Sequence, residues 1–301
     1  PERVVERMAK DGAVCVKVYT EDGFDTASNW PSISGELLNR VRAAATKHGL
    51  IMMSHSNAVD MQEIAIAADV DVLGHGLWNW LHHSSVKGLP LAVKNVADKI
   101  LAKNMVYQPT LNVMRSLRDI TVEGHLHHHE YRNVVSPEAL NWYQSEEGQW
   151  FSKVVFEGWE ERGVAPFHRR MTAVLNQGER VLQYLYQKGH PLVLATDTPP
   201  APAYASQPGL SSYWELESMN KLGVSLPRLL AAATINNAKA FKLDEDYGSL
   251  HQGKVANLLL LESNPIEHIE AYNQIDMVIL RGAPHNRDKF KVKLQNGDLN
   301  R

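Results

Sequence analysis

The sequence predicts an α/β fold of the (β/α) barrel type, continuing into a small β module. Three observations point there. Short apolar runs alternate with amphipathic helical stretches along the first two thirds of the chain. Each run ends in a polar or ionisable residue. After about residue 220 the texture changes to an Ala-rich helix and then short strands with Gly turns. Strand–helix alternation is the grammar of a parallel sheet covered by helices. Strand starts some 20 to 40 residues apart suit a barrel. An open doubly wound sheet fits the grammar too, but it usually announces a Gly-rich phosphate loop, and none follows these strands.

The elements follow in order. "PERVVERMAKDG" reads as a helix, and "AVCVKVYT" (13–20) as the first strand. "SGELLNRVRAAATKHG" has helical apolar spacing, Ser34 as a cap and Gly49 as a stop. "GLIMMSHSN" (49–57), "ADVDVLGHG" (68–76), "NMVYQPTLN" (104–112) and "GHPLVLATDTPP" (189–200) are the next four strands. "DMQEIAIAAD" and "LPLAVKNVADKILAKN" are helices between them. The long gap before the fifth strand predicts a helical, Trp-rich insert over about 112–165. In a barrel an insert after a strand lies over the C-terminal face, where it serves as a lid or as ornament. "SLPRLLAAATINNAKAF" reads as one helix capped by Ser225. "GSLHQGKVANLLLLESNP" and "IDMVILRGAP" read as strands. The expected domains are 1–245, the barrel part, and 246–301, the β module plus a polar tail.

The bulk numbers exclude some functions. The 301 residues are 44% hydrophobic and carry a net charge of −3, so there is no basic field to hold nucleic acid. No apolar run approaches the ~20 residues of a membrane span. Cys15 is the single cysteine, so no intrachain disulfide forms. Nothing in the sequence specifies a compartment or excludes a homo-oligomer.

Strand parity selects the candidate site. Side chains alternate along a strand. Val14, Val16 and Val18 share the face that packs under helices, which turns Lys17 inward with Cys15 and Tyr19. A bare ammonium there is costly to desolvate. By the same parity His55, His75 and Asp197 stand inward at strand ends, and so does Tyr107. Taken singly, an inward histidine is more often a satisfied core residue, and a strand-end aspartate is often a helix cap. Lys17, His55, His75 and Asp197 in register at the C-terminal ends of successive strands form a candidate metal site where barrel enzymes place their chemistry. "HLHHH" (125–129) is expected to be a solvated helical face, and "LWNWLHHSS" (77–85) loop packing.

The ordered set "VKVY", "MSHSN", "LGHG" and "LATDTP" resembles the amidohydrolase superfamily, and within it the imidazolonepropionase-like and prolidase-like branch. The similarity covers most of residues 1–285 and continues through "LLAAATINNAKAF…GSLHQGKVANLLLLESNP". It implies a partial eight-stranded TIM-type barrel, strands 4 to 8, with the C-terminal strands of a small β-sandwich. It implies Lys17 as a carbamate bridging two divalent metals, with zinc the expected metal. His55 and His75 would hold the second metal. Asp197 would bind the first and act as general acid/base for a metal-activated hydroxide. Tyr107 would contact substrate. The implied function is hydrolysis of amide or peptide C–N bonds in a dipeptide or N-acyl amino acid. The alternatives are a one-metal cyclic amide hydrolase and a non-catalytic remnant with a binding or structural role.

The sequence departs from the family in one respect. The family's first-strand His-x-His pair is absent before Lys17, and His125 and His127, the one such spacing, lie in the wrong element. The chain is therefore expected to be the C-terminal part of a longer enzyme, inactive alone. Asn257 also stands where the family usually has Asp, in the sandwich.

Overall fold

The computed structural model describes residues 1–22, 30–83, 88–122, 125, 129–198 and 205–292, without the Arg132 side chain. These residues form two compact units. The first comprises Pro1–Pro109, Asn176–Leu194 and Ala231–Lys254. The second comprises Thr110–Leu175, Ala195–Leu230 and Val255–Arg301.

The first unit opens with α1 (Glu2–Lys10), β1 (Cys15–Tyr19), α2 (Gly35–Lys47) and β2 (Ile51–His55). It continues with α3 (Val59–Ala67), β3 (Val72–Gly74), α4 (Leu91–Lys103) and β4 (Val106–Tyr107). The Ser34 hydroxyl accepts from Leu37 N–H and starts α2, as the side chain of an N-cap serine does. Gly49 has φ +71° just after the helix ends, a left-handed conformation that glycine adopts without strain.

The four strands are parallel and ordered β1-β2-β3-β4. Lys17 pairs with Met53, Tyr19 with His55, His55 with Gly74, and Leu73 with Tyr107. Val16 and Val18 are buried with Met52 and Leu73 against Leu38, Val41 and Ala45 of α2 and Val93, Val96 and Ile100 of α4. Parallel sheets are normally covered in this way. The valine face of β1 thus packs where its alternation places it, and Lys17 stays half-buried on the other face.

The fifth run does not become a strand. Residues 190–198 carry no ladder. Leu192 C=O accepts from Asn236 Nδ2 at 2.8 Å, and Leu194 C=O accepts from Asn237 Nδ2 at 3.0 Å. Leu194 N–H donates to Ala232 C=O. Side chains from the following helical segment take the groups that a neighbouring strand would otherwise pair. The same bonds interrupt the Ala-rich helix, read from sequence as one element. It is two, α11 (Leu226–Ala233) and α12 (Ile235–Ala240), broken at Thr234, where φ is −129° and ψ −96°.

In the second unit the insert is helical, with α5 (Leu111–Asp119), α6 (Tyr131–Val134), α7 (Pro137–Gln144) and α8 (Trp150–Phe156). The long α9 (Val164–Gln187) starts in this unit and ends in the first, and α10 (Leu210–Lys221) lies wholly in the second. Tyr131, Val135, Leu210 and Trp214 form one core cluster here, and Ile120 and Ala205 another. A three-stranded antiparallel sheet, β5 (Leu258–Leu261), β6 (Ile275–Leu280) and β7 (Ala283–Asn286), completes the unit.

Candidate functional site

The first unit gathers three of the sequence-predicted residues at the C-terminal ends of adjacent parallel strands. Register sets Tyr19, His55 and Gly74 level. Lys17 sits one inward step back on β1, and His75 directly follows β3. The His55 and His75 rings meet edge to face with centroids 4.3 Å apart. The Tyr19 ring stacks on His55 at 5.0 Å. The Lys17 ammonium stands 5.2 Å from the Tyr19 centroid, a cation–π distance.

His75 is buried and its pKa is pushed down to about 3. Desolvation is the main cause, followed by the nearby His55 and the Lys17 charge. The ring is therefore a neutral imidazole at ordinary pH. Its backbone has φ +85°, a strained value for a non-glycine residue and one that concentrates at functional sites.

Of the two flanking glycines Gly76 is required by space, while at Gly74 the closest obstacle is the movable end of Met53. A Cβ on Gly74 would stand 2.6 Å from Met53 Cε. On Gly76 it would stand 2.2 Å from Trp78 Nε1 and 2.7 Å from Pro109 C=O. Behind the strand ends, Gln62 of α3 donates from Nε2 to Ser56 C=O at 3.1 Å and His75 C=O at 3.5 Å, which ties the two histidine loops together.

Sequence parity missed two members of this cluster, Glu21 and Asn57. Glu21 lies two residues past β1, beyond the reach of strand alternation. One of its carboxyl oxygens, Oε2, is hydrogen-bonded to His55 Nε2 at 3.0 Å and accepts from Asn57 Nδ2 at 2.6 Å. An acid two residues past a strand whose inward face carries a lysine was the available signal.

The other expected residues are placed differently. Asp197 belongs to the second unit, is half-buried, and has φ +52° in a segment without a ladder, so strand parity does not set its direction. Tyr107 is turned into the core. Its hydroxyl accepts from Leu77 N–H at 2.7 Å, and burial raises its pKa. That phenol supports the loop after β3 and does not stand open to a substrate. Leu77, Trp78 and Trp80 are buried as loop packing, and Ser84 and Ser85 lie outside the described residues. His125 is hydrogen-bonded to the Tyr131 hydroxyl at 2.7 Å and is half-buried, while His127 and His128 lie outside the described residues.

The donor chemistry of the pair suits a divalent cation. Two adjoining imidazoles, one held neutral by burial, are the ligand type that zinc and its neighbours take. Among the described residues no group of three His, Cys, Asp or Glu side chains converges. The pair therefore fits as part of a ligand set.

Comparison with known proteins places the chain. Residues 26–284 match the model of the amidohydrolase family. The chain is a member of that family. No curated protein matches the sequence. Among solved structures, it is similar to a Xaa-Pro dipeptidase crystallised with methionine bound in the active site. The TM-score is 0.65 and the identity 21%, over 95% of this chain and 57% of that one. A putative prolidase from Bifidobacterium longum gives 0.63 and 20%, over 99% and 61%. The ochratoxinase of A. niger gives 0.61 and 18%, over 95% and 54%. At these identities the likeness is one of fold, and it agrees with a parallel α/β sheet of TIM-barrel type. The chain spans between about half and two thirds of the length of these structures.

Proposed function

We propose that this chain carries part of the active centre of a metal-dependent hydrolase that cleaves amide or peptide C–N bonds, with dipeptides or N-acyl amino acids as substrates. The observation that carries the reading is the edge contact of His55 and His75 at adjacent strand ends, with Lys17 beside them. Family membership and the prolidase descriptions of similar structures support it. In this reading β1 to β4 are strands from the second half of an eight-stranded barrel, and β5 to β7 belong to a β-sandwich.

His55 and His75 would hold one divalent cation, with zinc the expected metal. Lys17, as a carbamate, would bridge it to a second, and Asp197 would complete the set. When bound, the cations supply Lewis acidity and a water acidified to near neutral pH. Burial keeps His75 uncharged, so its ring neither repels a cation nor has to lose a proton to ligate. The Asp197 carboxylate would take the proton from the attacking water and return it to the leaving nitrogen.

Metal analysis and replacement of Lys17 test the reading. The complete enzyme is expected to bind two metals per chain. Lys17→Ala is expected to lose activity by orders of magnitude and regain part of it with small carboxylates. A single metal indifferent to Lys17 replacement would support a cyclic amide hydrolase, and no metal at all would support a binding role.

A further inference from the structure

We infer that Glu21 is a positioning residue that fixes His55 as the Nε2–H tautomer and so sets Nδ1 as its donor nitrogen. The inference rests on the proposed metal site and adds a residue that the proposal does not use. Glu21 is delivered to His55 by the backbone. Thr20 donates to the His55 carbonyl twice, from its N–H at 3.1 Å and from Oγ1 at 2.7 Å, pinning the segment after β1 to the end of β2. The Glu21 side chain is only 6% exposed, and a carboxylate so buried needs donors. It has two on one oxygen, His55 Nε2 and Asn57 Nδ2.

An ionised carboxylate only accepts, so Nε2 must carry the proton. In the neutral ring the lone pair then lies on Nδ1, because the bond made by one imidazole nitrogen sets the role of the other. Asn57 holds the carboxylate so that it cannot swing away, and Tyr19 stacks on the ring and limits its tilt. Carboxylates of this kind orient metal-binding histidines, and their loss typically costs about 10- to 100-fold in metal affinity.

The test is long-range proton–nitrogen NMR on the full chain with 15N-labelled histidine, the His55 signals assigned by their loss in His55→Asn. In metal-free protein Nε2 is expected to be protonated and Nδ1 bare. On adding zinc the Nδ1 signal is expected to move while Nε2 keeps its proton. Glu21→Ala is expected to relax the ring from a single tautomer toward the mixture of free neutral histidine, with a detectable Nδ1–H population, and to weaken zinc binding about 10- to 100-fold. Glu21→Gln, which keeps the shape and an acceptor oxygen, is expected to restore the tautomer and part of the affinity. An Nδ1–H tautomer in the native chain, zinc on Nε2, or a Glu21→Ala protein with native tautomer and affinity would each overturn the inference. Failure of the native chain and of the complete enzyme to bind zinc would overturn the metal reading instead. The shift in tautomer population between the native chain and Glu21→Ala, read without metal, still decides the role of Glu21 in that case.

Discussion

In the second unit the Glu215 carboxyl is fully buried and accepts from the N–H groups of Leu111 and Asn112, at 2.9 and 2.6 Å, at the start of α5. Burial outweighs those bonds and raises its pKa from 4.5 to about 8. The sign of the consequence follows by linkage. Below about pH 4.5 the folded and unfolded chains both hold the proton, and the stability it contributes is fully present. As pH rises toward about 8 the unfolded chain ionises while the folded one resists, so that stability is lost, by roughly 1.4 kcal/mol per pH unit across the window. Glu215→Gln removes the titration. In urea unfolding, the native-minus-variant difference is expected to favour the native chain at acid pH and to shrink steadily toward pH 8. A difference constant with pH would show that the carboxyl is not raised. No sequence rule found Glu215, because its partners lie about a hundred positions away. Glu21 escaped for a related reason: alternation reads strand residues, and a loop residue two places on has no parity. Lys17 and His55 were legible because each stands in or at the end of a strand whose opposite face is apolar. His75 was found for the wrong reason: it shares parity with Leu73, which the register sets on the Val18 face under the helices, and it stands past the end of β3 with φ +85°, where alternation no longer applies.

Elements were legible where local pattern and long-range packing agree. The first four strands and the helices between them fall where alternation and caps place them. The fifth run is as apolar as the others, yet it makes no ladder, because Asn236 and Asn237 occupy its carbonyls. Nothing near residue 194 announces a partner more than forty positions on. Asn237 Nδ2 also donates to Ala232 C=O at 2.9 Å, so one amide bridges the extended run and the break between α11 and α12. Asn237→Ala takes the amide donor from Leu194 C=O and one of two donors from Ala232 C=O, which keeps Leu194 N–H, and is expected to cost about 1–3 kcal/mol. Thermal unfolding reads that loss directly. Asn237→Asp should cost at least as much, since a carboxylate cannot donate to a carbonyl. A melting temperature unchanged in both variants would mean that the bridge does not hold these elements together.

At the scale of the molecule, the described sheets end in strands that have one neighbour each. Among the described residues β1 pairs with β2 alone, and β4 with β3 alone. In the second unit β5 is the sequence LLLL, paired on one side by β6. Leu259 and Leu260 point to opposite faces of that sheet and are 51% and 46% exposed. An apolar edge strand with leucines bare on both faces is a template for pairing with another chain, and natural edges are commonly protected by lysine. The chain is therefore expected to associate as its concentration rises through the micromolar range, seen as a growing fast-sedimenting fraction in sedimentation velocity. The paired substitution Leu259→Lys and Leu260→Lys is expected to shift that fraction back to monomer. Each replaced side chain is about half exposed, so the urea midpoint should move little, since surface substitutions typically stay within about 0.5 kcal/mol. Association undiminished in the doubly substituted chain would move the contact away from β5, to the open edges of the parallel sheet. A native chain monomeric at every concentration would show that its edges are protected in solution.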